Sequence, residues 1–154
     1  MNSLHDIILR NAVMNVEDAL VSGAGLVSGL LAAGMSMSSI IKSLTIAAGV
    51  SAFSMACGSY ISEDTQDKPN PKVAAITAFI SYVVASFIVL IPLLVTSGRT
   101  SAIYVFCVPV ITLFGVGYAA AHIQNTPEVA IRKGVTAAVL GAAAIAAGTL
   151  IGKT

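Results

Sequence analysis

Apolar blocks of about 22 residues recur five times along the chain, separated by short polar breaks. The first covers 13–34 and gives way to Met35-Ser36-Met37-Ser38-Ser39. The second covers 40–61 and stops at an acidic stretch bearing Pro69 and Pro71, while the remaining three cover 73–97, 101–123 and 129–151. At ~1.5 Å per residue each block makes roughly 33 Å of helix, enough for the ~30 Å hydrocarbon layer of a bilayer. Backbone amides left unpaired in lipid are costly, and barrel strands are far shorter than these blocks, so helix is the predicted form. Pro92 and Pro109 fall inside the third and fourth blocks and are expected to kink them. The pattern thus predicts an all-α integral membrane protein with five transmembrane helices, a single transmembrane domain over 1–154. Residues 62–72 are left as a short cytoplasmic link.

Composition agrees with that reading. Of 154 residues, 56% are hydrophobic and 10% charged, and the mean hydropathy is +0.91; a soluble domain carries about 25% charged residues. Eight Lys and Arg against seven Asp and Glu cannot cover a soluble globule, and they offer no basic face to a nucleic acid. Glu17 and Asp18 interrupt the first apolar block where a signal peptide would be uncharged, so that block is read as a span of the mature chain. Thirteen glycines and no tryptophan suit helices that approach closely. Arg10, Lys68, Lys72, Arg132 and Lys133 fall on one side of the predicted spans, and Lys42, Arg99 and Lys153 on the other. This bias places the N-terminus in the cytoplasm and the C-terminus on the lumenal or extracytoplasmic side. Cys57 and Cys107 could pair as a disulfide, but buried thiols acting as small hydrophobes are the expected reading.

The residues with chemistry cluster on the first two blocks. Asn11, Asn15, Asp18 and Ser22 recur at spacings of four, three and four, which puts them on one helix face. Met14 stands one turn before Asp18, and Glu17 stands beside it. A carboxylate inside a span costs about 2.5–3.5 kcal/mol on an insertion scale, so it must face protein, water or an ion. Glu17 also fits an interfacial acid; Asp18, one residue deeper on the polar stripe, is the stronger functional candidate. The second block carries Ser51, Met55, Gly58 and Ser62 at the same spacings, with Ser54 and Ser59 alongside. A thioether beside a carboxylate favours Fe²⁺ or Mn²⁺ over Mg²⁺, which prefers oxygen ligands. Glu63, Asp64 and Asp67 are either a solvated turn or a cytoplasmic collector that concentrates cations at a pore mouth. His122 reads as an interfacial residue at a helix end. Gly25 and Gly29 form a GxxxG motif, and Ala144, Gly148 and Gly152 a matching small-residue stripe.

Two stretches carry a family resemblance. Asp18-Ala19-Leu20-Val21 and the small-residue run that follows it to Leu30 resemble the first-helix signature of the vacuolar iron transporter family. Ser54-Met55-Ala56-Cys57-Gly58-Ser59-Tyr60 resembles its second-helix signature. The resemblance implies export of cytosolic Fe²⁺ or a related divalent ion such as Mn²⁺ in exchange for protons, by a homodimer whose first helices pair around the path. It further implies that Asp18 and Met55 take the places of the membrane-embedded metal ligands; from their spacing, Glu17 and Met14 are expected to complete the metal site and Asn15, Ser22, Ser51 and Ser59 to line the path. No permanently bound cofactor is expected, the metal being cargo. The chain departs from the family pattern in two ways. Its link between the second and third helices is too short for the glutamate-rich cytoplasmic domain of well-known members, and Ser59 stands where many relatives have Glu. Two other functions fit the residues: a structural or accessory membrane subunit whose polar stripes only join helices, and a carrier or channel for another small solute.

Overall fold

A computed structural model describes residues 4–67, 69–95, 99–124 and 126–154. Among them the regular structure is entirely helical: α1 (Leu4–Ala32), α2 (Met37–Asp64), α3 (Pro71–Val95), α4 (Arg99–Ile123) and α5 (Ala130–Gly152), with a single 3₁₀ turn at Pro127–Val129. Four candidate spans, Met37–Asp64, Pro71–Val95, Ile103–Ile123 and Pro127–Gly152, are long and apolar enough to cross a membrane. α1 has the length, at 29 residues, but Asn11, Asn15, Glu17 and Asp18 dilute its apolar content. It also begins nine residues before the predicted block, because Ile7 extends the buried face on which Asn11 and Asn15 lie. Residues 96–98, where the third block was expected to close, and Lys68, counted in the charge bias, lie outside the described residues. Pro92 and Pro109 both sit inside continuous helices.

The turn between α1 and α2 follows from local chemistry. Met35 N–H donates to the Leu30 carbonyl (3.0 Å) and Gly34 N–H to that of Leu31 (3.1 Å), closing α1 in a Schellman motif. Gly34 supplies the left-handed backbone this needs, at φ 73°. Ser36 then caps α2, its hydroxyl accepting from Ser39 N–H at 3.2 Å.

α1 is the central element, packed against α3 and α5 along most of its length and against α4 more briefly. Gly25 meets Ala144 and Gly29 meets Gly148, so α1 and α5 run in the same direction with their backbones nearly touching. Ser28 strengthens this seam by donating to the Ile145 carbonyl at 3.0 Å. α4 and α5 are joined similarly, Gly117 against the Lys133 carbonyl and Gly134 against that of Phe114. Small residues at these crossings give the close approach on which helix association in lipid depends. α2 is different: it packs along α3, with Phe53 edge-on to Phe79 at 5.1 Å, and touches α1 far less. Cys57 and Cys107 are both exposed free thiols, contrary to the buried placement expected from their apolar surroundings. In a membrane helix an apolar neighbourhood in sequence marks the outer surface as readily as the core.

Candidate functional site

Because α2 leans on α3, a crevice opens between α1 and α2. At the end near the start of α1 it has a volume of about 240 Å³ and is lined by Arg10, Asn11, Met14, Met55, Gly58, Ser59, Ser62 and Glu63. α2 runs on to Asp64, past the predicted end of the second block at 61, so Glu63, expected in the 62–72 link, falls two turns after Met55 and lines the cavity with it and Ser59, together with Met14 of α1. Two thioethers, serine hydroxyls and a carboxylate form a mixed soft and hard donor set. Such a set suits a transition-metal ion better than Mg²⁺, which prefers oxygen ligands. Among the described residues no three His, Cys, Asp or Glu side chains gather as a metal-holding group.

Glu63 is the buried charge of this cavity, 1% exposed, and its carboxylate is ion-paired with the Arg10 guanidinium. It lies in the last turn of α2, whose terminal carbonyls carry partial negative charge. A carboxylate there needs a cation nearby, and Arg10 supplies it across the crevice.

Deeper along the same helices a second space of about 210 Å³ is lined by Ser22, Ser51, Tyr82 and Ser86 among apolar and small residues. Ser22 Oγ donates to the Asp18 carbonyl (2.6 Å), so its 3.0 Å contact with the buried Tyr82 hydroxyl is one in which Tyr82 donates. Ser86 donates to the Tyr82 carbonyl at 2.8 Å.

The structure therefore brings together Met14, Met55, Ser59 and Glu63 in one cavity, and Ser22 with Ser51 in the next. Asp18 lines neither space and is exposed on the surface of the single chain; half-buried Glu17 likewise lines neither. Asn15 is buried in the helix core, where its Nδ2 donates to the Asn11 carbonyl at 2.7 Å and its Oδ1 has no partner among the described residues. Asp64 and Asp67 are exposed beyond the cavity, so the three acids of the expected collector are divided, one inside and two out. His122 lies tilted against Tyr118, ring centroids 4.7 Å apart, at the end of α4. Arg10, Tyr82 and Ser86 were not anticipated as site residues. Arg10 stands four residues before Met14, as Met14 does before Asp18, and that continuation of the stripe was the available signal.

A polar crevice within a body of long apolar helices belongs to the class of integral membrane transport proteins. The family model for the VIT family matches residues 65–153, more than half of the chain, and the chain belongs to that family. The match covers α3, α4 and α5; the signature-like stretches of α1 and α2 lie outside it. Comparison with curated proteins returns no match. The chain is an integral membrane protein, and its family is one of membrane transporters rather than enzymes, which points to metal-ion transport.

Proposed function

We propose that the protein exports a divalent transition metal, Fe²⁺ or Mn²⁺, from the cytosol in exchange for protons. The observation that carries this reading is the convergence of Met14, Met55 and Glu63 on one cavity between α1 and α2. Such a cavity offers a soft cation two thioethers and one carboxylate, and the hydroxyls of Ser22, Ser51, Tyr82 and Ser86 continue the polar lining beyond it. Alternating neutralisation by metal and proton would couple the two fluxes, because a carboxylate that accepts a proton loses affinity for a cation.

Asp18 and Glu17 enter this reading through a second copy of the chain. An exposed carboxylate on a membrane helix is costly against lipid. Pairing of two α1 helices would take Asp18 and the outward-facing Met14 out of lipid and into a shared path. The N-terminus then lies in the cytosol with α1 as a fifth span, and the C-terminus on the opposite side.

The test is uptake of Fe²⁺, Mn²⁺, Co²⁺ and Zn²⁺ into vesicles holding the purified protein, with and without an imposed pH difference. Uptake of Fe²⁺ or Mn²⁺ that accelerates when the receiving compartment is acidic is the expected result. Absence of uptake for every metal under both conditions would refute the proposal.

One observation favours the accessory-subunit reading: Asn11, Asn15, Ser22 and Ser86 each bond a carbonyl one turn earlier on their own helix. Polar groups satisfied in this way need no cargo. That reading predicts vesicles impermeable to all four metals.

A further inference from the structure

Among the described residues, Arg10 is the one permanently charged group lining the cavity that is proposed to receive a cation. A guanidinium does not deprotonate, so wherever Arg10 meets Glu63 the carboxylate is already neutralised and a metal ion is repelled. The two side chains differ sharply in their surroundings: Glu63 is 1% exposed, whereas the side chain of Arg10 is 44% exposed. Arg10 also stands in the part of α1 that precedes the apolar block, on a long flexible stem. Such a side chain can carry its charge out to water or lipid headgroups while its stem stays on the helix surface. Glu63 cannot follow: it is fixed in the last turn of α2, next to that helix's negative end, and without Arg10 it loses the guanidinium it is paired with.

We infer that Arg10 is a resident counter-cation. Its guanidinium holds the Glu63 carboxylate until a divalent ion displaces it, and its return helps to expel that ion. This rests on the metal-transport reading and adds to it a residue that sets affinity and selectivity. With Arg10 in place the pair contributes no net charge to the cavity. With Arg10 withdrawn, a divalent ion meets one carboxylate and the thioethers of Met14 and Met55. A monovalent cation, carrying no more charge than the guanidinium it must displace, gains little from the exchange. A divalent ion gains twice the attraction, so the exchange selects by charge before thioether coordination selects by softness.

The experiment compares Co²⁺ binding by calorimetry and Co²⁺ uptake into vesicles for the full chain and for R10Q, R10K, E63Q and the double variant R10Q/E63Q. Loss of the competing cation is expected to tighten Co²⁺ binding by about tenfold in R10Q, and by about threefold in R10K, which lacks the planar fork, while turnover slows. E63Q is expected to weaken binding, and in its background R10Q should have no further effect, the signature of two residues acting as one unit. Unchanged or weaker binding in both R10Q and R10K, with wild-type uptake intact, would overturn this inference alone and make the pair a simple clasp between helices. If R10Q does not fold, R10K decides. A wild-type chain that neither binds nor moves Co²⁺, Fe²⁺ or Mn²⁺ would overturn the transport reading and this inference with it.

Discussion

Gly29 of α1 lies so close to Gly148 of α5 that a Cβ added at Gly29 would stand 2.8 Å from the Gly148 carbonyl oxygen. The seam between these parallel helices has no room for a side chain. Gly29→Val is therefore expected to force the helices apart and to cost about 1–3 kcal/mol, as overpacking of a close contact does. Gly115, by contrast, faces open space, and Gly115→Ala is expected to change stability by less than about 0.5 kcal/mol. Thermal unfolding of both variants in one detergent, followed by helical circular dichroism, checks the contrast.

Met14 of α1 and Met55 of α2 both line the cavity, and their thioethers can be removed with little change in packing. Met14→Leu and Met55→Leu conserve volume and are expected to leave unfolding temperature nearly unchanged. Each should weaken Fe²⁺ or Co²⁺ binding by roughly tenfold, about 1.4 kcal/mol. Calorimetry at matched protein concentration measures this, and equal affinity in the wild type and in both variants would exclude sulfur ligation.

Asp18→Asn keeps the shape of the side chain and deletes its charge. On the proposed mechanism, uptake driven by a pH difference falls at least about tenfold. Insertion into the membrane becomes easier, because an ionised Asp at a helix centre costs about 2.5–3.5 kcal/mol. Parallel measurements of uptake and of unfolding temperature are expected to move in opposite directions; wild-type uptake would remove Asp18 from the mechanism.

Tyr82→Phe deletes the hydroxyl that donates to Ser22. The loss to stability is expected to be about 1 kcal/mol or less, typical of one hydrogen bond. A larger relative drop in uptake than in stability would mark the hydroxyl as part of the path; equal, small changes would mark it as a clasp between α1 and α3.

Much of the architecture is legible in the sequence because lipid imposes it. Blocks of apolar residues long enough to span a bilayer have one good conformation, and breaks such as Met35 to Ser39 and Pro69 to Pro71 mark where it must end. The interior face is harder to read. In a soluble protein an apolar surrounding implies burial, but Cys57 and Cys107 sit in apolar runs and face outward. The spacing of Met55 and Ser59 announces a shared helix face, but Glu63 lies beyond the predicted block, and only the continuation of α2 to Asp64 brings it onto that face. The spacing does not announce that α2 would lean on α3 and leave that face looking into a cavity. Nor does spacing alone separate Glu63 from Asp64, since adjacent residues on a helix point about 100° apart and only the packing decides which is enclosed. Arg10 was legible as a charge near a membrane end and, four residues before Met14, as a continuation of the stripe on α1. Its pairing with Glu63 depends on how α1 and α2 are apposed, which no local pattern encodes.

The four-residue turn at Ala33 to Ser36 pins α1 to α2 at one end. Any separation of the two helices is therefore angular, least beside Gly34 and greatest where Arg10 meets Glu63. At ~1.5 Å per residue, Glu63 stands about 39 Å along α2 from that pivot, so a swing of about 5° carries its carboxylate roughly 3 Å. That is the difference between a touching ion pair and one with water between its members. A tilt too small to disturb the α1–α5 seam is thus amplified, by leverage alone, into the making or breaking of a charge contact at the far tip.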